Sequence, residues 1–495
     1  MKNKFIYALV GLGLLGASCS ESWLDENPSD KLSSEGSVNN VTQAQYAVDG
    51  IYNQMTDDEY YNGDYICNFD VMADDMRVTE GGRLDNYYDY SFYTESSDAT
   101  MWERPYEALK NAASLMAVID DITVEGDDDV AARNDIKGQA LALRGLIHFD
   151  LVKTFGKAYT HAGGPAALGV PIVTETLAAD AKLSRNTVEE VYTQVIADLE
   201  AGISLLKTDA NLGHINKAAA QAILAKVYLY KGDMANALTY AEEVINTSGL
   251  KLMPRDKYVS EWAANGMSES LFELVNSSED TGGGLETVGY LADPNGYGQF
   301  AAADDFITML QAATYDVRNQ LLAKDELSSE ETGDRMGRVL KFPGKPGEPA
   351  YTTNTRVIRL SEVYLIAAEA ALATDKTKAA NYLNAVIERA YPSEDVVDEE
   401  DSSSILFDYP ADVPTVTAAN ITLNSVLEER RLELVSEGHR FFDLVRNNMT
   451  IVRGSDYWGT LNKTVEMSFH KIIQPIPRIE LDANPNMVQN PGYES

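Results

Sequence analysis

The chain has 495 residues and carries 77 acidic against 40 basic side chains, a formal charge of −37 at neutral pH. A field of that sign repels nucleic acid and anionic lipid surfaces and disfavours polyanionic ligands. Of the two cysteines, Cys19 belongs to an N-terminal processing motif, so Cys67 has no partner for an internal disulfide, and five scattered histidines give no metal-ligand spacing.

Lys2 and Lys4 precede an apolar run from Phe5 to Ala17 that is too short to span a bilayer and ends in small residues before Cys19. That pattern predicts a signal peptide over residues 1–18. Leu15-Gly16-Ala17-Ser18-Cys19 resembles the bacterial lipobox, with Leu15 one place further upstream than usual. The resemblance implies acyl chains on Cys19, and each methylene they bury adds about 0.8 kcal/mol to membrane anchoring. Residues 19–40, polar and aperiodic around Glu21, Asp25, Glu26 and Pro28, read as a flexible tether. No later stretch approaches the ~20 apolar residues of a membrane-spanning helix, and one body is expected over 41–495.

Apolar residues at three- and four-residue spacing predict helices over 41–55, 100–122, 130–155, 187–206, 217–231, 234–247, 356–373, 376–390 and 425–448, so the fold is read as mainly α. Thr187 with Glu190 has the spacing of a capping box. The helices come in consecutive pairs. Leu224, Ala225, Tyr228, Gly232, Ala237 and Ala241 are spaced as in a tetratricopeptide repeat, where small residues let two antiparallel helices approach. Ala367, Ala370, Ala379, Leu383 and Val386 form a second candidate, and helices 130–155 and 187–206, separated by a long insertion, a third. Unrelated helical hairpins are the alternative reading.

Three segments, 77–99, 276–303 and 391–420, are too long to be simple connectors, and long loops on a helical scaffold commonly carry binding sites. The first holds Tyr87, Tyr88, Tyr90, Phe92 and Tyr93, and the second holds Gly282-Gly283-Gly284, Tyr290, Tyr297 and Phe300. Aromatic rings in polar loops can stack on sugar rings while polar neighbours bond the hydroxyls, although any one tyrosine can equally pin its loop to the scaffold. The third segment is acidic and serine-rich around Asp398–Ser404 and reads as a solvated insertion. Trp102 and Tyr106, at helical spacing, read as core.

Asp74-Asp75 and Asp304-Asp305 are adjacent pairs, poorly placed for hydrolysis, which needs two carboxyl groups facing each other across a scissile bond. Hydrogen bonding to sugar hydroxyls is the better reading for Asp74 or Asp75. The triglycine lacks the lysine and hydroxyl of a phosphate loop, and Asp127-Asp128-Asp129 lacks the glycine and glutamate of a calcium loop and reads as helix capping. No motif calls for a cofactor.

Near the C-terminus, the run from Glu429 through Glu433-Leu434-Val435-Ser436-Glu437-Gly438-His439-Arg440 to Arg446 resembles the signature helix of the SusD/RagB family of nutrient-uptake lipoproteins. Its glutamates and arginines are spaced for ion pairs three and four residues apart, beside an apolar stripe of Leu432, Val435 and Phe442. Arg144–Gly156, Arg359–Ala370, Pro475-Ile476-Pro477 and the tail motifs Asp482–Asn486 and Gln489–Tyr493 are similar to other family segments, in the same order. The resemblance implies a tetratricopeptide-like scaffold with a loop-rich ligand-binding half, lipid-anchored and outward-facing on a Bacteroidota-type outer membrane. It further implies a SusC-like TonB-dependent transporter as partner and non-catalytic capture of oligosaccharide. The candidate ligand-binding residues are Tyr87, Tyr88, Tyr90, Asp74, Asp75, Tyr290, Tyr297 and Phe300. Peptide capture is the alternative ligand class, and a glycoside hydrolase is a third.

Overall fold

The computed structural model describes residues 38–94, 100–209, 211–279, 284–325, 335–392, 413–459 and 462–493. The expected signal peptide, Cys19, most of the tether, Gly282-Gly283 and the acidic part of the third long loop lie outside the described residues. Helices dominate what is described: α1 (Val41–Met55), α2 (Asp64–Met72), α3 (Asp85–Tyr88), α4 (Thr100–Met116), α5 (Asp127–Phe155), α6 (Val188–Leu205), α7 (Lys217–Lys231), α8 (Met234–Thr247), α9 (Val288–Ala292), α10 (Asp304–Ala312), α11 (Leu360–Ala371), α12 (Lys376–Ala390), α13 (Leu423–Glu433), α14 (Arg440–Arg446) and α15 (Arg478–Ala483). Among the described residues no helix is long and apolar enough to cross a membrane.

Side chains that satisfy free amides fix the helix starts. Asn40, Asn216, Asp233 and Asp375 each accept from an amide in the first turn of α1, α7, α8 and α12, and Thr187 with Glu190 forms the capping box of α6. Asp127, Asp128 and Asp129 occupy the first turn of α5, where carboxylates complement the helix dipole.

The helices stack in sequence: α1 on α4, α4 on α5, α5 on α6, α6 on α7, α7 on α8, α8 on α11 and α11 on α12. The repeat positions Leu224, Ala225, Ala237, Ala241, Ala367, Ala379, Leu383 and Val386 are all fully buried. In the α5–α6 pair the approach is backbone to backbone, since a Cβ on Gly138 would lie 3.1 Å from the Gly202 carbonyl and one on Gly202 2.9 Å from that of Gly138. Arg144 and Asp198 clamp the same pair with two hydrogen bonds of 2.8 and 2.5 Å inside the core.

The remaining half is made of short elements tied by two-stranded antiparallel sheets. β1 (Met76–Val78) pairs with β3 (Phe300–Ala302), β2 (Ser270–Leu274) with β6 (Thr355–Arg359), β4 (Leu322–Ala323) with β5 (Arg338–Val339), and β7 (Ile451–Val452) with β8 (Thr464–Val465). The helix expected over 356–373 therefore begins only at Leu360. Its first residues, rich in β-branched side chains, are taken by the pairing of β6 with β2.

The long helix expected over 425–448 is two helices. The chain turns out of α13 after Glu433 and re-enters at Arg440, with Ser436 and Gly438 in the left-handed region at φ 65° and 77°. Its glutamates also do not pair three and four residues along their own segment, as expected, but with cations from elsewhere in the chain. Arg359, at the end of β6, reaches Glu269 and Glu433 at 2.6 Å and Glu437 at 2.8 Å. Arg389 of α12 meets Glu433 at 2.6 Å, Arg318 meets Glu429 at 2.6 Å, and Lys341 meets Glu437 at 2.6 Å. Burial opposes the charge of Glu433, and the guanidinium groups of Arg389, Arg359 and Arg318 overcome it, holding the carboxyl well below its ordinary range.

Removing one member of such a cluster leaves its partners buried and uncompensated. Glu433→Gln is therefore expected to lower unfolding free energy by roughly 3–5 kcal/mol. Lys378→Ala, at the half-exposed Lys378–Glu242 pair, is expected to leave the urea midpoint nearly unchanged, and similar midpoint shifts in the two variants would contradict this placement. His148 gives a second expectation. Its ring sits fully buried between the Arg144 carbonyl (2.9 Å from Nδ1) and the Val173 amide (3.0 Å from Nε2), and burial pulls its pKa down to about 4. A histidine kept neutral by the fold stabilises it above the unfolded value of about 6.5, and that contribution drains away as pH falls toward the folded value. NMR of the imidazole should find His148 neutral at pH values near 5.5; a ring that charges near its unfolded value would contradict the geometry.

Candidate ligand-binding site

The internal cavity beside Asp150 is too small to hold a ligand. The cavity lined by Tyr61, Tyr65, Asp150, Lys153, Lys226 and His439 has a volume of about 20 Å³, room for one water molecule and not for a sugar ring. Its polar wall is self-satisfied at Asp150, which accepts from the hydroxyls of Tyr60, Tyr61 and Tyr65 at 2.8, 2.7 and 2.7 Å.

On the surface, the pairing of β1 with β3 brings the first two long loops together. The Thr79 amide donates to the Gln299 carbonyl at 3.2 Å, and the Arg83 amide donates to Gln299 Oε1 at 2.8 Å. Thr287 caps α9, the Val288 amide donates to the Asn62 carbonyl at 2.7 Å, and the Tyr297 amide closes back on the Tyr290 carbonyl at 2.9 Å. These bonds leave Tyr290 and Tyr297 partly exposed and perpendicular, with ring centroids 5.0 Å apart and planes at 85°. The Arg83 guanidinium lies over the Tyr297 ring at 4.5 Å, donates to its hydroxyl at 2.8 Å and pairs with Glu286 at 2.6 Å. An aromatic surface is thus bordered by the Arg83 guanidinium, the Glu286 carboxylate and the Gln299 side chain.

The other expected ligand residues are placed differently. Tyr87, Tyr88, Tyr90 and Phe300 are 8, 2, 1 and 1 % exposed, so their rings belong to the core and cannot meet a ligand without local opening. Tyr90 donates to the Met72 carbonyl at 2.6 Å, and Arg453 lies over the rings of Tyr88, Tyr90 and Tyr457 at 5.3, 4.9 and 4.9 Å. They pin the loop, the other role open to tyrosines in such a segment. Asp74 accepts two bonds from Arg440 at 2.7 and 2.9 Å, and Asp75 pairs with Arg431. Burial opposes the Asp74 charge, but the Arg440 hydrogen bonds and the charges of Arg440 and Arg431 hold its carboxyl below its ordinary value. The pair positions β1, and its one oxygen without a hydrogen bond, Asp75 Oδ2, is buried out of reach of a sugar. Asp304, in the first turn of α10, is held by Arg335 at 2.7 Å. Trp102 is buried, with Tyr106 packed 4.8 Å from it.

Arg83, Glu286 and Gln299 were not among the expected site residues. The available signal was that Arg83 is the one basic residue after Arg77 in a tyrosine-rich, acidic loop. Among the described residues no group of three or more His, Cys, Asp or Glu side chains is close enough to hold a metal ion.

Comparison with known proteins agrees with this architecture from end to end. Residues 323–493 match the model of the SusD family, and residues 22–229 match one described as starch-binding, associating with outer membrane. A SusD superfamily protein from Bacteroides thetaiotaomicron is 33% identical over 91% of this chain and all of its own, with a TM-score of 0.82. Another from Bacteroides vulgatus is 33% identical over 92% of this chain and all of its own, with a TM-score of 0.81. Surface glycan-binding protein A from Bacteroides thetaiotaomicron, solved in complex with laminarihexaose, shares the fold at 21% identity, covering 91% of this chain and 99% of its own with a TM-score of 0.70. With matches at both ends and full-length relatives at a third of identical positions, the chain belongs to the SusD family.

Proposed function

We propose that the protein captures glycan at the cell surface on the Tyr290–Tyr297–Arg83 patch and passes it to a SusC-like TonB-dependent transporter in the outer membrane, without cleaving it. The observation that carries this reading is the patch itself, a perpendicular pair of partly exposed tyrosines edged by groups that can bond hydroxyls. The laminarihexaose bound by a protein of the same fold supports the ligand class. Acyl chains on Cys19 would hold the body at the membrane, with residues 20–40 as the tether.

Hydrolysis is disfavoured by the state of the carboxylates. Asp74, Asp75 and Asp304 are each committed to an arginine, which leaves those pairs without the free acid and base that glycoside cleavage requires.

In affinity electrophoresis or calorimetry over a panel of neutral glycans, Tyr290→Ala and Tyr297→Ala should each weaken binding by about tenfold, equivalent to about 1.4 kcal/mol, with an unchanged circular dichroism spectrum. Tyr88→Ala, which empties a core position, should instead lower stability by roughly 3 kcal/mol. Binding of peptides with failure of every glycan would overturn the ligand class. Unchanged affinity in both surface variants would move the site elsewhere.

A further inference from the structure

A lone arginine in a binding loop usually suggests an acidic ligand, because its guanidinium matches carboxylate and phosphate geometry. Here the arginine is already occupied. Arg83 is paired with Glu286 at 2.6 Å, its Nη2 donates to the Tyr297 hydroxyl at 2.8 Å, and its face rests on the Tyr297 ring. Its surroundings are acidic as well. The two segments that build the patch, residues 79–94 and 284–299, carry Glu80, Asp85, Asp89, Glu286 and Asp293, with Arg83 as their one basic residue. The nearby Arg338 is itself paired with Asp293 at 3.3 Å.

We propose that this site is selective for neutral glycans and that Glu286 is the residue that sets the selectivity, by cancelling Arg83 and leaving the patch with a net negative field. The proposal rests on the reading of the patch as a glycan site. Arg83 then orients the Tyr297 ring and offers its remaining N–H groups to hydroxyls, while a carboxylate-bearing sugar meets excess negative charge within a Debye length. A ligand carboxylate about 5 Å from Glu286 in water-like surroundings loses about fourfold in affinity from that one charge, and the neighbouring carboxylates add to it.

The test uses neutral polysaccharides, laminarin among them, each compared with its C6-oxidised form, in which hydroxymethyl groups have become carboxylates. Wild-type protein should bind at least one parent, with its oxidised form weaker by about tenfold at low salt, and Glu286→Gln should narrow that ratio by about fourfold, read as the ratio of the two affinities within the same variant. The ratio should also shrink in about 0.5 M NaCl, because screening weakens repulsion between exposed charges. Loss caused merely by the missing hydroxyl would respond to neither change, so an unaltered ratio in Glu286→Gln and in salt overturns the proposal. Equal or tighter binding of the oxidised form by wild type overturns it too, with the glycan reading intact. Failure of every parent glycan would remove that reading and the selectivity with it.

Discussion

Two carboxylates four residues apart, Glu433 at the end of α13 and Glu437 in the turn that follows, sit almost without solvent exposure, and four cations from distant parts of the chain converge on them. Isolated carboxylates there would be costly, and Arg359, Arg389, Arg318 and Lys341 together offset that cost. Those residues come from the end of β6, from α12, from the turn after α10 and from the loop after β5. One cluster therefore joins the last helix pair of the repeat stack to the irregular half of the molecule.

The same C-terminal segment also reaches outward. Arg431 and Arg440 hold Asp75 and Asp74, the two residues immediately before β1, and the Asp75 carbonyl accepts the Ala303 amide that follows β3 at 2.8 Å. The position of the β1–β3 pair is thereby set by the buried network. That pair in turn brings Arg83 to Tyr297. In the proposed site, Asp74 and Asp75 would place the loops through Arg440 and Arg431 rather than touch an occupant.

The scaffold was legible in the sequence because it rests on local rules. Apolar spacing located the helix pairs of the repeat stack, Ala237 and Ala241 marked a close packing face, and Thr187 with Glu190 marked a helix start that the capping box confirms. The two aromatic loops were also legible as a pair, and the fold does bring them together. Which rings face solvent was not, because exposure of a tyrosine depends on partners far away in sequence. Arg453 and Met72 decide the fate of Tyr90, and nothing near Tyr90 announces them. The C-terminal charges failed for the same reason. Read locally, Glu433 pairs along its own helix, whereas its partner Arg359 lies 74 residues upstream and meets it only in the folded core. Two left-handed residues, Ser436 and Gly438, break what periodicity alone joins into one helix.

The most direct measurement is a crystal structure of the protein grown with laminarihexaose, or with whichever neutral oligosaccharide of the panel binds it. The account predicts sugar density against the exposed surface of Tyr290 and Tyr297, with Arg83 still paired to Glu286 and Tyr88, Tyr90, Asp74 and Asp75 still in the contacts described above. Density seated elsewhere, or a sugar carried by an opened loop in which Tyr88 and Tyr90 have left the core, would contradict it.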